Sequence, residues 1–164
     1  MHNFFHTFVF MFSQDRYTYS TNKSFLDYEF ESTGPRGTIK KIARFSSIGT
    51  NLYNFGFGDL DELTGEISDT TVSNNGDSEK VLVTVANIIY DFTDVYLGAA
   101  VFIQGTTTAR TRRYQMGINK FWSQINPVFE VFGLKNEKWE PFQQGENYDA
   151  FLGRRKASFY FNRV

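Results

Sequence analysis

The chain has 164 residues, 17 Lys and Arg against 18 Asp and Glu, a formal net charge of −1 and no cysteine. This length suits one domain, and an aromatic content of 18% excludes a globally disordered chain. The absence of cysteine excludes a disulfide framework and a Cys-ligated zinc site, and the balanced total argues against a histone-like polycation.

Residues 4–12 are apolar at seven of nine positions, too short a run for a bilayer span of about 20 residues. The first basic residue, Arg16, lies beyond that run and no small-residue cleavage site follows, so a secretory signal is not expected. The sequence reads as a cytoplasmic protein with no membrane association. Phe8, Phe10 and Phe12 alternate as in a strand, and Met11 is an alternative start. Residues 1–13 are therefore set apart as an apolar leader, 14–156 form a single domain, and 157–164 form a tail.

Leu26, Tyr28 and Phe30 alternate with Asp27, Glu29 and Glu31, the pattern of a half-buried strand. Gly34-Pro35-Arg36-Gly37 turns, and Thr38 to Ser46 returns. That connection sets Glu31 opposite Lys40, Asp27 opposite Arg44 and Leu26 opposite Phe45, so opposite charges face each other. Pro-Arg is an unusual centre for a two-residue hairpin. Tyr53, Phe55 and Phe57 mark a third strand, Asp61 to Gly65 turns, and Glu66 to Val72 forms a fourth.

Asp77 is placed to cap a helix from about Ser78 to Tyr96, with Glu79 at the positive end of its dipole. Its apolar stripe is Leu82, Val85, Ile89, Phe92 and Tyr96, widened by Val81 and Ile88. Ala99 to Gln104 is a continuous apolar run, read as a strand covered on both faces. After Gly105-Thr106-Thr107-Thr108 a second helix continues to about Ile125, with Tyr114, Gly117, Ile118, Phe121, Trp122 and Ile125 as its stripe. Phe129 to Leu134 and Tyr148 to Lys156 are two further strands, joined by a polar connection. The expected fold is α+β, a largely antiparallel sheet with two packed helices in the order ββββ-α-β-α-ββ.

The near-zero net charge conceals segregation. Asp59 to Asp94 holds nine acids and one base, Lys80, whereas Arg36 to Arg44, Arg110 to Lys120 and Arg154 to Arg163 hold four bases each and no acid. The Gly105 to Arg113 turn is the leading candidate site. A glycine-containing turn opening a helix offers free amides and the positive dipole end to an anion. Thr107, Thr108, Arg110, Arg112 and Arg113 add hydroxyls and guanidiniums, and Lys120 and Arg154 extend the basic surface. Counting back from Tyr114 puts Arg110 on the inward side, where it needs an internal acid or an anionic ligand. The structural alternative makes Thr107 or Thr108 an N-cap and pairs Arg110 internally.

Arg154, Arg155 and Lys156 end the last strand on alternating faces, a pattern that also blunts sheet edges. Tyr114, Phe121, Trp122, Tyr148, Phe159 and Tyr160 interleave with these bases and suit either base stacking or, for the helical ones, the core. The acids Asp59, Asp61, Glu62, Glu66 and Asp69 miss the EF-hand template, because Thr70 stands where a Glu is needed. His2 and His6 are the only histidines, so triad catalysis is not expected, nor is a metal or other cofactor.

The motifs resemble an uncharacterised family of short bacterial proteins, classified as a domain of unknown function. The matching pieces are Tyr28-Glu29-Phe30, Gly34-Pro35-Arg36-Gly37, Phe57-Gly58-Asp59, Val72-Ser73-Asn74-Asn75-Gly76-Asp77, Lys80-Val81-Leu82, Thr108-Ala109-Arg110-Thr111-Arg112, Trp139-Glu140-Pro141-Phe142 and Asn147-Tyr148-Asp149-Ala150-Phe151-Leu152. They span about 14–156, and the resemblance implies a start near Met11 but carries over no activity and no catalytic residue. Three functions follow as expectations. The first is a non-catalytic domain binding nucleic-acid phosphate or another anion at the turn. The second is an enzyme acting on a phosphorylated or nucleotide substrate there, with a carboxylate such as Asp59 as acid or base. The third is an antitoxin- or immunity-type module whose acidic Asp59 to Asp94 segment meets a basic protein.

Overall fold

A computed structural model describes residues 15–68 and 74–157. Among them the chain forms β1 (Ser20–Thr21), β2 (Asp27–Gly34), β3 (Gly37–Gly49), β4 (Leu52–Leu60), β5 (Ile67–Ser68), α1 (Ser78–Val95), β6 (Ala100–Ile103), α2 (Thr108–Lys120), α3 (Trp122–Ile125), β7 (Phe129–Lys135), β8 (Lys138–Pro141) and β9 (Ala150–Arg155). All nine strands join one sheet in the order β1-β2-β3-β4-β6-β9-β7-β8, with β5 attached to β4. Every pairing is antiparallel except β4 with β6. The α+β class and the broad element order expected from the sequence are found. The leader, the residues of the fourth strand beyond Ser68, and the tail beyond Ala157 lie outside the described residues.

The first hairpin has the expected register, with Asp27 opposite Arg44 and Glu31 opposite Lys40. Arg44 grips Asp27 with two bonds of 2.9 and 3.3 Å, but Lys40 reaches Glu62 instead of its cross-strand neighbour. The Pro35-Arg36 turn is held from outside. The Asn75 side chain accepts from the Arg36 amide at 2.8 Å and donates to the Gly37 carbonyl at 3.0 Å.

Two short strands add to the expected order, and the second helix, expected to run on to about Ile125, is broken at Phe121 into α2 and α3. β7 and β8 form a hairpin across Asn136-Glu137, both at positive φ (51° and 62°), the left-handed pair that suits a two-residue turn. β1 is a two-residue edge strand on β2. β9 lies between β6 and β7, so Arg154 to Lys156 do not protect an edge. Instead Arg154 points out to Glu130 at 3.0 Å, and Arg155 points in with its side chain fully buried.

α1 buries more than one stripe, including Val83, Thr84, Asn87, Tyr90 and Thr93. The sheet covers one side, where the Phe92 ring stacks on Phe45. Residues 15–19 cover another. The Tyr17 amide donates to Thr84 Oγ1 at 2.9 Å, and Arg16 reaches Asn87 at 3.2 Å. Asp77 stands at the N-cap position but makes no side-chain cap bond. Its carboxylate accepts from the Tyr17 hydroxyl at 2.6 Å and from the buried Ser32 hydroxyl at 2.5 Å, two stronger claims than a helix amide.

Arg155 ties β9 to the end of α1. It donates to Thr93 Oγ1 (2.9 Å) and the Tyr90 carbonyl (2.6 Å), and its guanidinium lies 3.5 Å over the Tyr90 ring. A cation suits the negative end of the helix. Arg155→Ala is expected to cost roughly 2–4 kcal/mol in urea unfolding, because it removes packing and leaves buried acceptors unpaired.

Nearby, Asp91 accepts a hydrogen bond from Tyr19. Burial pushes its carboxyl above the usual range, and the Tyr19 bond offsets part of that rise. A raised pKa in the fold means that Asp91 favours folding while protonated, and that this contribution is lost as pH rises through the raised value. Asp91→Asn is therefore expected to raise Tm at pH 7, with the advantage shrinking toward pH 3.

Candidate functional site

The chain leaves β6 at Ile103, crosses Gln104 to Thr107, and enters α2. Thr107 is the N-cap: its extended backbone and its Oγ1, accepting from the Arg110 amide at 3.2 Å, start the helix. Thr111 Oγ1 accepts from the Gly105 amide at 3.0 Å, folding the turn back onto the helix. A Cβ on Gly105 would lie 2.4 Å from the Thr111 nitrogen, so the backbones meet too closely for any side chain. Among the described residues the amides of Thr108 and Ala109 donate to no acceptor, and the first turn holds no acid.

The turn separates two clefts. One, of about 310 Å³, is lined by Arg110, Arg44, Ser46, Asn54, Glu66 and Tyr114 among others. The other, of about 630 Å³, is lined by Thr107, Thr108, Arg112, Gln115 and Asp149 among others. Gln115 fixes the far wall of the larger cleft: it is buried, donates to the Glu146 carbonyl, and accepts from the Tyr148 amide at 2.9 Å.

The expected residues are thus only partly gathered. Thr107, Thr108 and Arg112 share the larger cleft, and Arg110 lines the smaller. Arg110 is half-buried, with its guanidinium bonded to Thr106 Oγ1 at 2.9 Å at the turn. Arg113 is exposed and lines neither cleft. Lys120 pairs with Glu79 at 2.7 Å and Arg154 with Glu130 at 3.0 Å. Phe121 and Tyr148 are core residues, and Trp122 packs on Phe142; Phe159 and Tyr160 lie outside the described residues.

Arg44 is the cleft residue that the sequence did not single out as a ligand group. Its bidentate bond to Asp27 holds its pKa above the usual arginine value and aims the guanidinium, with Glu66 4.0 Å away. Arginine forks, threonine hydroxyls and helix amides together suit a phosphate or carboxylate. Asp59, the acid or base considered above, lines neither cleft and is paired with the buried Lys41.

The acidic stretch does not stay apart from the bases. Asp59 pairs with Lys41, Glu62 with Lys40, Glu79 with Lys120 and Asp94 with Arg155. Asp61 is spent on its own turn, accepting from the Leu63 amide at 2.9 Å. Asp69 and both histidines lie outside the described residues. No helix among the described residues is long and apolar enough to cross a membrane.

Gly105→Ala is expected to cost roughly 1–3 kcal/mol by forcing the turn off α2. Thermal unfolding measures that loss, and a variant as stable as the parent would refute the steric account of the turn.

No curated protein and no solved structure matches the chain. The model of a family of unknown function, DUF6934, matches residues 13–156, in agreement with the resemblance carried by the sequence motifs, and the chain belongs to that family.

Proposed function

We propose that the chain is a non-catalytic binding domain for a phosphate-bearing anion, held where β6 runs into α2. The observation that carries this reading is the first two turns of α2, which hold Arg110, Arg112 and Arg113 and no acid. A helix stabilised only for its own sake takes carboxylates there, because cations oppose the dipole. Two of these arginines line the clefts on either side of the turn.

The ion pairs of Lys120 and Arg154 with Glu79 and Glu130 favour a ligand with one phosphate group, free or at the end of a strand, over a long nucleic acid lying across the surface. The absence of Asp59 from both clefts favours binding over acid–base catalysis.

Calorimetric titration at low salt with inorganic phosphate, a mononucleotide and a single-stranded oligonucleotide tests the proposal. Each lost charge-assisted hydrogen bond weakens binding by roughly tenfold to a hundredfold, so Arg110→Ala with Arg112→Ala should abolish measurable affinity while Lys120→Ala leaves it intact. Affinity that survives the double variant rejects the site. A steep salt slope seen only with the oligonucleotide would assign the function to nucleic acid.

A further inference from the structure

Beneath the helices lies a space of the opposite character, an apolar cavity of about 100 Å³. α1 contributes Leu82 and Ile89 to its lining, α2 contributes Tyr114 and Ile118, and β9 contributes Gly153. Gly153 is paired on both sides, with Val101 of β6 and Val131 of β7, so it sits in the middle of the sheet. Its φ is not positive, and the backbone does not demand glycine there. A Cβ built on it meets no heavy atom within 4 Å. Glycine inside a strand sacrifices packing and conformational entropy, and a β-branched residue would ordinarily fill such a position. The chain keeps open a volume that its neighbours do not use.

The cavity and the arginine cleft adjoin. Phe55 and Tyr114 line both, their rings edge to face with centroids 6.1 Å apart. Among the described residues the Tyr114 hydroxyl makes no hydrogen bond, and it is not sealed from solvent. Burial pushes its pKa up and the Arg110 charge partly offsets that rise, so the hydroxyl lies within electrostatic reach of the cleft. Tyr114 is half-buried, and its hydroxyl can donate to an acceptor that arrives in the cleft.

We infer that cavity and cleft are two halves of one amphipathic site, taking a phosphate ester whose anionic head lies beside Arg110 and Tyr114 and whose apolar body, about the size of a benzene ring, enters the space above Gly153. An apolar cavity of about 150 Å³ stays dry and binds benzene, so this somewhat smaller space takes at most a single ring. The inference rests on the anion-binding reading for its head group and adds the apolar half.

Phenyl phosphate, inorganic phosphate and toluene are the probes, titrated into the full chain by calorimetry. Phenyl phosphate should bind about tenfold or more tightly than inorganic phosphate, since burying its ring removes apolar surface from water. Gly153→Val fills the cavity and should erase that advantage while leaving inorganic phosphate affinity unchanged. Gly153→Ala, a smaller intrusion, should reduce it and serves if the valine variant does not fold. Tyr114→Phe keeps the ring and should weaken both phosphates alike.

Equal affinity of the parent chain for phenyl phosphate and inorganic phosphate overturns this inference and leaves the anion site standing. An advantage that persists in a folded Gly153→Val variant also overturns it. If neither phosphate binds, the anion site and the inference fall together, even if toluene binds.

Discussion

The parallel ladder between β4 and β6 is the joint on which the molecule depends. Every other pairing in the sheet is antiparallel, so this one contact, Leu52 to Phe55 against Ala100 to Ile103, welds the N-terminal hairpins to the C-terminal half. β4 then changes partner: its far end pairs with β5 at Asp59 and Leu60. Ile67 of β5 packs onto Gly56 and Gly58, where a Cβ would meet it at 3.1 and 2.7 Å. The sheet opens where β6 ends and β5 has not yet begun. Crevices of this kind, at the carboxyl ends of parallel strands, are where open sheets hold ligands. The Gly105 turn and both clefts lie at that opening.

Charge follows the same geometry. In the linear chain the acids between Asp59 and Asp94 stand apart from the bases, but folding lays β4 and its following turn beside β3 and sets α1 against α2 and β9. Lys40, Lys41, Lys120 and Arg155 each meet an acid of that stretch. These four pairs take up bases away from the start of α2, where Arg110 bonds Thr106. Exposed pairs such as Lys40–Glu62 contribute little to stability, so their main effect is to narrow the cationic surface to the turn.

Much of the fold was legible because it is local. Opposite charges and a Gly-Pro-Arg-Gly turn were enough to set the β2–β3 register, and apolar continuity marked β6 as a central strand. Only Val101 of that strand is fully buried, however, and Phe102 on its other face is half-exposed. What escaped is long-range or chemically disguised. Asn75 reads as a breaker, yet it stabilises a turn some forty positions earlier in the chain. The β7–β8 turn uses Glu137 at positive φ, where glycine would have announced it. Extending the α2 stripe backward pointed to Arg110 as an inward side chain, and it is half-buried in the smaller cleft, but its bond to Thr106 of the preceding turn had no sequence signal. Alternation correctly separated Arg154 from Arg155, while the burial of Arg155 depends on Tyr90 and Thr93 of a helix far away in sequence. The cavity above Gly153 had no signal beyond an isolated glycine in a strand.

The proposed site joins the cationic turn to the apolar cavity, and a ligand bound there would touch both. Amide chemical shifts recorded during titration with phenyl phosphate test that location directly. The account predicts the largest changes at Gly105, Thr108, Ala109 and Arg112, with a second group at Gly153 and its paired neighbours Val101 and Val131. Changes confined to other surfaces, such as the ends of β2 and β3 or the Glu130–Arg154 face, would contradict it.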